Sequence, residues 1–288
     1  MSFPENEKFA RVRVARLCLW PLIGATFVVL GYLLVTRSAA PPFVPIAYAT
    51  YGFLFLAALR SLQQAGIAPR ELFGVPPGEV HGWLRTLVHV PVMFAFAAMT
   101  LWATAYVASW LFPTLAEYLF RQQRDAGPFK SLGESGSGAL ILFVVVIGPL
   151  IEEFVFRGLI LRRWIARRGL WRGVIGSSII FALLHPPFWL GAFVVGVFLS
   201  LLYLVTRSLY VPIAFHALYN GLVTFATIGA EQFAQETAKE PTLAEFRAQW
   251  MSELALLLIS GWIIHRAIQR FAAELKARDQ GVAERTST

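Results

Sequence analysis

The chain alternates long apolar runs with short polar connections along most of its length. A membrane-spanning helix needs about 20 predominantly apolar residues, and on this basis the pattern predicts eight spans. They cover residues 17–36, 43–59, 87–112, 139–161, 173–185, 188–205, 212–228 and 251–264. The fifth span is short and stops before Pro186 and Pro187, which cannot continue a helix. We therefore expect an all-α, polytopic transmembrane helical bundle, with residues 1–288 forming a single integral membrane domain.

Composition supports this class and excludes others. Of the 288 residues, 57% are hydrophobic and only 15% are charged, whereas soluble domains carry about a quarter charged residues. The single cysteine, Cys18, cannot form a disulfide within the chain. The net charge of +8 comes mostly from the short connections. No basic stripe interleaved with aromatic residues is visible, so we expect a lipid bilayer and not a nucleic acid as the partner.

The distribution of basic residues predicts the topology. If the N-terminus is cytosolic, 18 of the 25 Lys and Arg residues fall in cytosolic segments, six fall outside, and Arg157 lies within a span. Because cytosolic connections are enriched in Lys and Arg, both termini are expected in the cytosol. The Ala- and Arg-rich composition with short loops favours a bacterial inner membrane.

Three of the last five predicted spans contain polar groups, which are costly in a bilayer and are therefore functional candidates. The fourth contains an E-E-x-x-x-R pattern, the fifth ends in F-x-x-x-H, and the seventh contains H-x-x-x-N. The candidate site residues are Glu152, Glu153, Arg157, His185, His216 and Asn220. Counted along their helices, Glu152, His185 and Asn220 reach a similar depth, about 12–18 Å from the cytosolic end. This predicts one site in the cytosolic half of the bilayer.

Helical spacing suggests a role for each group. Glu153 and Arg157 are four residues apart, in the order that favours an ion pair, which could also be purely structural. Glu152 points about 100° away from Glu153 and could act as a general base. His216 and Asn220 are also four residues apart, so both could donate hydrogen bonds to a developing oxyanion.

These motifs, in this order on successive spans, resemble the CPBP family of CAAX proteases and bacteriocin-processing proteins, also called the Abi family. The resemblance covers roughly residues 138–226, which would form the catalytic core. It implies an eight-helix intramembrane endopeptidase of the glutamate type. In that family, the residues matching Glu152 and His185 position and activate a water, and those matching His216 and Asn220 form the oxyanion hole. The residues matching Glu153 and Arg157 support the site.

Two alternatives differ from this hypothesis. One Glu and two His could hold Zn²⁺ with an open position for water, although H-E-x-x-H is absent; the main hypothesis needs no cofactor. Alternatively, the buried carboxylates could relay protons or bind a peptide without cutting it, as in a transporter or an immunity protein. The expected partner is a membrane-associated or precursor protein, reached from the membrane or the cytosolic leaflet. Its identity does not follow from these motifs.

Overall fold

The computed structural model describes residues 6–36, 43–78, 83, 86–122, 137–237 and 242–286. All the regular elements described are helices. In chain order they are α1 (Asn6–Ala10), α2 (Ala15–Thr36), α3 (Phe43–Ala65), α4 (Arg70–Phe73), α5 (His89–Leu111), α6 (Pro113–Gln122), α7 (137–168), α8 (Leu170–Leu183), α9 (Trp189–Thr206), α10 (Tyr210–Thr237), α11 (Leu243–Ala248) and α12 (Trp250–Thr286). The prediction of an all-α protein is confirmed.

Helix α7 is continuous but not uniform. Its α-helical segments Ser137–Leu142, Gly148–Glu153 and Arg162–Arg168 alternate with π-helical segments Phe143–Ile147 and Phe154–Leu161. The first π segment precedes Pro149, which has no N–H to donate and whose ring crowds the carbonyl group four residues earlier. A widened turn relieves that conflict without ending the helix.

Among the described residues, six helices are long and apolar enough to cross a membrane, so the chain is an integral membrane protein with multiple apolar helices. They correspond to the predicted second, third, fourth, sixth, seventh and eighth spans, with ends that differ by one or more residues. The predicted first and fifth spans are also helical, but their apolar stretches, Leu19–Val35 and Leu170–Leu183, are shorter.

Several helix boundaries differ from the predicted spans. Helix α8 ends at Leu183, so His185 lies in the turn that follows and not within the span. The amide of His185 donates to Ala182 O (2.9 Å), whereas Pro186 and Pro187 have no N–H with which to extend the helix. Helix α12 continues to Thr286, well past the predicted end at residue 264, because polar residues extend it beyond the apolar run.

A short helix that is separate from α12 begins just after Thr242. Thr242 and Glu245 form a capping box, in which each side chain bonds the backbone N–H of the other residue. The capped helix is the short α11, and α12 follows it from Trp250.

The chain divides into two compact units, and the first comprises Met1–Gly78, Ala139–Ser177 and Leu199–Ala217. The second π segment of α7 is buried throughout and forms the core of this unit. The ring of Phe154 packs against Phe55 (5.3 Å between centroids) and Phe73 (6.0 Å). Arg162 stacks over the buried ring of Phe9, 3.9 Å from its centroid.

The connection into α10 is held by α4 within this first unit. The amide of Leu209 donates to Phe73 O at 2.9 Å, and the rings of Phe73 and Tyr210 pack 5.5 Å apart. Gly74 makes this approach possible, since a Cβ there would overlap the backbone oxygen of Arg207. Its dihedral angles, φ 63° and ψ −157°, lie in a region that essentially only glycine occupies. These contacts fix where α10 begins.

The second unit comprises Glu79–Gly138, Ser178–Phe198 and Leu218–Thr288. Small residues let its helices approach closely, as is common in membranes. A Cβ on Gly196 of α9 would lie 3.0 Å from Ser178 Cβ of α8, and one on Gly261 of α12 would lie 3.2 Å from the Phe96 ring of α5.

Replacing Gly74 tests the role of the connection into α10. Gly74→Ala is expected to lower the yield and the thermal stability of the detergent-purified protein, because the new methyl group meets the Arg207 carbonyl. Gly66→Ala is the control, since Gly66 also has a positive φ (68°) but has no atom within 4 Å of its Cβ position. The control should cost only about 1–2 kcal/mol of left-handed strain. Equal losses in the two variants would contradict this account.

Candidate active site

The predicted ion pair between Glu153 and Arg157 is confirmed. Arg157 Nη1 donates to Glu153 Oε1 at 2.6 Å, and both side chains are almost completely buried. A buried charge is tolerated only when it is paired and hydrogen bonded. The pair therefore neutralises a carboxylate that lies within a predicted membrane span.

His216 joins this pair. Its Nδ1 lies 2.8 Å from Glu153 Oε1, the same oxygen that accepts from Arg157. A carboxylate oxygen accepts and does not donate, so Nδ1 carries the shared hydrogen. The contact therefore determines which imidazole nitrogen faces Glu153 and leaves Nε2 to face the other way.

Glu152 lies on the opposite side of the imidazole from Glu153. Glu152 Oε2 is 3.8 Å from His216 Nε2. That distance is longer than a direct hydrogen bond, so the two groups face each other across a short gap. Glu152 is buried, with 8% of its surface exposed, as expected for a carboxylate in an apolar setting.

Tyr51 of α3 contacts Glu152 directly. Its hydroxyl donates to Glu152 Oε1, the carboxylate oxygen that does not face His216. The Tyr51 ring packs edge-on against Phe143 at 4.8 Å. The two oxygens of Glu152 therefore have different neighbours, a phenol on one side and an imidazole on the other.

The helix around these groups explains their placement. Glu152 and Glu153 end an α-helical segment, and the π segment that begins at Phe154 carries Arg157. Wide π turns inside α-helices occur frequently at functional sites. Gly158 in the same segment lets Leu72 approach, since a Cβ there would lie 3.1 Å from Leu72 Cδ1.

The structure thus brings together Glu152, Glu153, Arg157 and His216 in the first unit. The other two predicted site residues, His185 and Asn220, belong to the second unit. His185 donates its Nδ1–H to Phe181 O at 2.7 Å, because a carbonyl oxygen only accepts, and the two rings pack 4.3 Å apart. In a neutral imidazole this makes Nε2 the acceptor nitrogen. Asn220 is half-buried on α10, four residues after His216.

Sequence reasoning missed two features of the site. Tyr51 belongs to none of the three sequence motifs, so it was not a candidate. A tyrosine near the middle of an apolar helix needs a partner for its hydroxyl when buried, and that signal could have identified it. The contact between His216 and Glu153 joins residues 63 positions apart, which spacing rules along one helix do not reach.

The zinc alternative requires several ligand side chains close together. Within the part of the chain that is described, no group of three or more His, Cys, Asp or Glu side chains is arranged to hold a metal ion. The site that is described consists of carboxylates, a guanidinium, an imidazole and a phenol.

The chain is similar to known proteins. Residues 135–222 match the family described as type II CAAX prenyl endopeptidase Rce1-like. The chain is also similar to the membrane-embedded CAAX protease MroQ of Staphylococcus aureus (strain USA300), with 41% identity over 106 residues. That similarity covers 34% of this chain and 43% of the relative, so the chain spans less than half of the relative's length. No solved structure matches the chain.

Removing Arg157 tests whether the buried pair stabilises the fold. Arg157→Ala leaves Glu153 buried without its guanidinium, which is expected to destabilise the protein by about 3–5 kcal/mol and to lower the folded yield. Arg278→Ala is a matched control, because Arg278 forms the same i,i+4 pair with Glu274 at 2.6 Å, but on the surface. Exposed pairs contribute about 0–1 kcal/mol. Full yield of Arg157→Ala with only an activity defect would instead indicate that Arg157 contacts substrate.

Proposed function

We propose that this chain, which carries an Rce1-like CAAX prenyl endopeptidase segment over residues 135–222, is an intramembrane endopeptidase. The observation that carries the proposal is the buried cluster of Glu152, Glu153, Arg157 and His216 inside that segment. Its substrate is a membrane-associated or precursor protein. The relative's name supports the reaction class, and the chain's own residues supply groups for peptide hydrolysis.

In the proposed reaction Glu152 is the general base. Its carboxylate takes a proton from water while the hydroxide attacks the scissile carbonyl carbon. His185 helps to position that water through Nε2, the nitrogen left as acceptor by the bond from Nδ1–H to Phe181 O. The tetrahedral intermediate then releases the amine, which leaves with the proton that Glu152 held. The proton taken from water thus ends on the amine, and this route needs no cofactor.

His216 and Asn220 are proposed as the oxyanion donors. Because Nδ1 of His216 donates to Glu153, only Nε2–H is available for the oxyanion. The imidazole must therefore carry both protons when it acts. An imidazolium, a guanidinium and the two carboxylates have formal charges that add to zero, which suits a buried cluster. This assignment gives Glu153 and Arg157 a supporting role.

We propose a topology of eight spans with both termini in the cytosol, in a bacterial inner membrane. The shorter apolar helices α2 and α8 provide the first and fifth spans. The proposed site then lies in the cytosolic half of the bilayer, within a single integral membrane domain whose catalytic core is residues 138–226. The concentration of arginine between Arg162 and Arg172 supports this orientation.

Substitution of the site residues tests the mechanism. Glu152→Gln keeps the shape but cannot accept the proton, so hydrolysis of a quenched fluorescent peptide by the purified protein should nearly vanish while peptide binding persists. Asn220→Ala should lower kcat about 10²–10³-fold, as for other oxyanion donors. His216→Ala should fall similarly, and the double variant should lose less than the product of the two. Both farnesylated C-a-a-X peptides and an unmodified peptide library serve as probes.

Glu274→Gln is the control for these substitutions, because it removes a surface carboxylate and should leave turnover unchanged. Three results would overturn the proposal. Retained hydrolysis by Glu152→Gln would exclude it as the base. Loss of activity on prolonged chelation, restored by Zn²⁺ alone, would assign water activation to a metal. Binding or transport of peptides by the wild type without any cleavage would favour a transporter or an immunity protein.

Cysteine labelling tests the topology. In a Cys18→Ala background, Ala166→Cys lies between the predicted fourth and fifth spans, and Ala248→Cys lies between the seventh and eighth. A membrane-impermeant maleimide applied to intact cells should label position 248 and should label position 166 only after the membrane is opened. The reverse pattern would contradict the proposed orientation.

A further inference from the structure

We infer that Tyr51 is a positioning residue for the proposed general base, Glu152. This inference rests on the proposed function, and it extends the site beyond the segment at residues 135–222 that matches the family. Tyr51 comes from α3, which lies outside that segment. The inference stands on the geometry of the contact between the two side chains.

The contact separates the two oxygens of the Glu152 carboxylate. Tyr51 donates its hydroxyl hydrogen to Oε1, while Oε2 faces His216 Nε2 at 3.8 Å. A carboxylate held at one oxygen cannot rotate freely, so the other oxygen stays directed toward the imidazole. Tyr51 therefore selects which oxygen of Glu152 receives the proton from water.

The Tyr51 ring is itself fixed within the first unit. Phe143 packs against it edge-on, with the ring centroids 4.8 Å apart and the planes at 77°. Gly148 lies beside the same ring, since a Cβ there would be in ordinary van der Waals contact with Tyr51 Cε1, at 4.0 Å. Packed neighbours therefore hold the phenol next to Glu152, so its side chain loses little conformational freedom when water and substrate bind.

The hydrogen bond also holds the carboxylate of Glu152 in place. A hydrogen bond to a charged carboxylate is stronger than one between neutral groups, so the Tyr51 hydroxyl restrains Oε1. Without that donor, Oε2 would no longer be kept toward the imidazole, and the general base would be less well placed for water. A phenol whose hydroxyl bonds a backbone carbonyl would have no such effect.

The same helix offers a matched control in Tyr48. Its ring also packs against Phe143, at 5.1 Å, and it lies one turn before Tyr51 on α3. Its hydroxyl, however, donates to the backbone oxygen of Ala139 at 3.0 Å and not to a carboxylate. Tyr48→Phe and Tyr51→Phe each remove one hydroxyl and keep the ring, so their difference isolates the bond to Glu152.

Two measurements on the full chain in detergent test the inference. In peptide hydrolysis, Tyr51→Phe should lower kcat about tenfold with little change in KM. Tyr48→Phe should keep the wild-type kcat and KM. In infrared spectra, the carboxylate band that Glu152→Gln removes should shift in Tyr51→Phe and stay in place in Tyr48→Phe.

The outcomes separate this inference from the proposed function. An unchanged kcat and an unchanged band in Tyr51→Phe would overturn the role of Tyr51, even if Glu152→Gln is inactive. Equal effects of the two substitutions would also overturn it, because they would reflect packing and not the carboxylate. If the wild type cleaves no peptide, the proposed function fails, while the infrared band still decides whether Tyr51 holds Glu152.

Discussion

A single carboxylate oxygen organises the site. Glu153 Oε1 accepts hydrogen bonds from both Arg157 Nη1 and His216 Nδ1, and all three side chains are buried. Arg157 neutralises the charge, and His216 turns its other nitrogen toward Glu152. If the two bonds to this oxygen were lost, Glu153 would become a buried charge with too few partners, and the imidazole of His216 would lose its orientation. Glu152 depends on the same oxygen, because its carboxylate faces that imidazole.

The helices that carry these groups are joined by contacts between residues that are far apart in the sequence. Tyr51 belongs to α3, the two glutamates to α7 and His216 to α10. The start of α10 is set by the bond between Leu209 and Phe73 and by the close approach that Gly74 permits. A residue without chemistry of its own, Gly74, thus helps to place the one imidazole in the cluster.

The sequence predicted most of the helices, because a bilayer requires long apolar runs and these are directly visible. It also predicted the pair between Glu153 and Arg157, since an i,i+4 contact depends only on the local helix. It did not predict that His185 lies beyond the end of its helix. The helix already ends at Leu183, because Pro186 has no N–H and restricts the backbone of the residue before it. The partners of Glu152 and His216 depend on how separate helices pack. Neither apolar periodicity nor motif spacing contains that information, so Tyr51 was missed.

The central claim is that Glu153 fixes the protonation of His216 at Nδ1. It can be measured by nitrogen-15 magnetic resonance on protein labelled at its five histidines, with the His216 signals assigned by His216→Asn. The account predicts that Nδ1 keeps its hydrogen across the active pH range and that Glu153→Gln changes the Nδ1 signal. A neutral His216 with its hydrogen on Nε2 and none on Nδ1 would contradict the account.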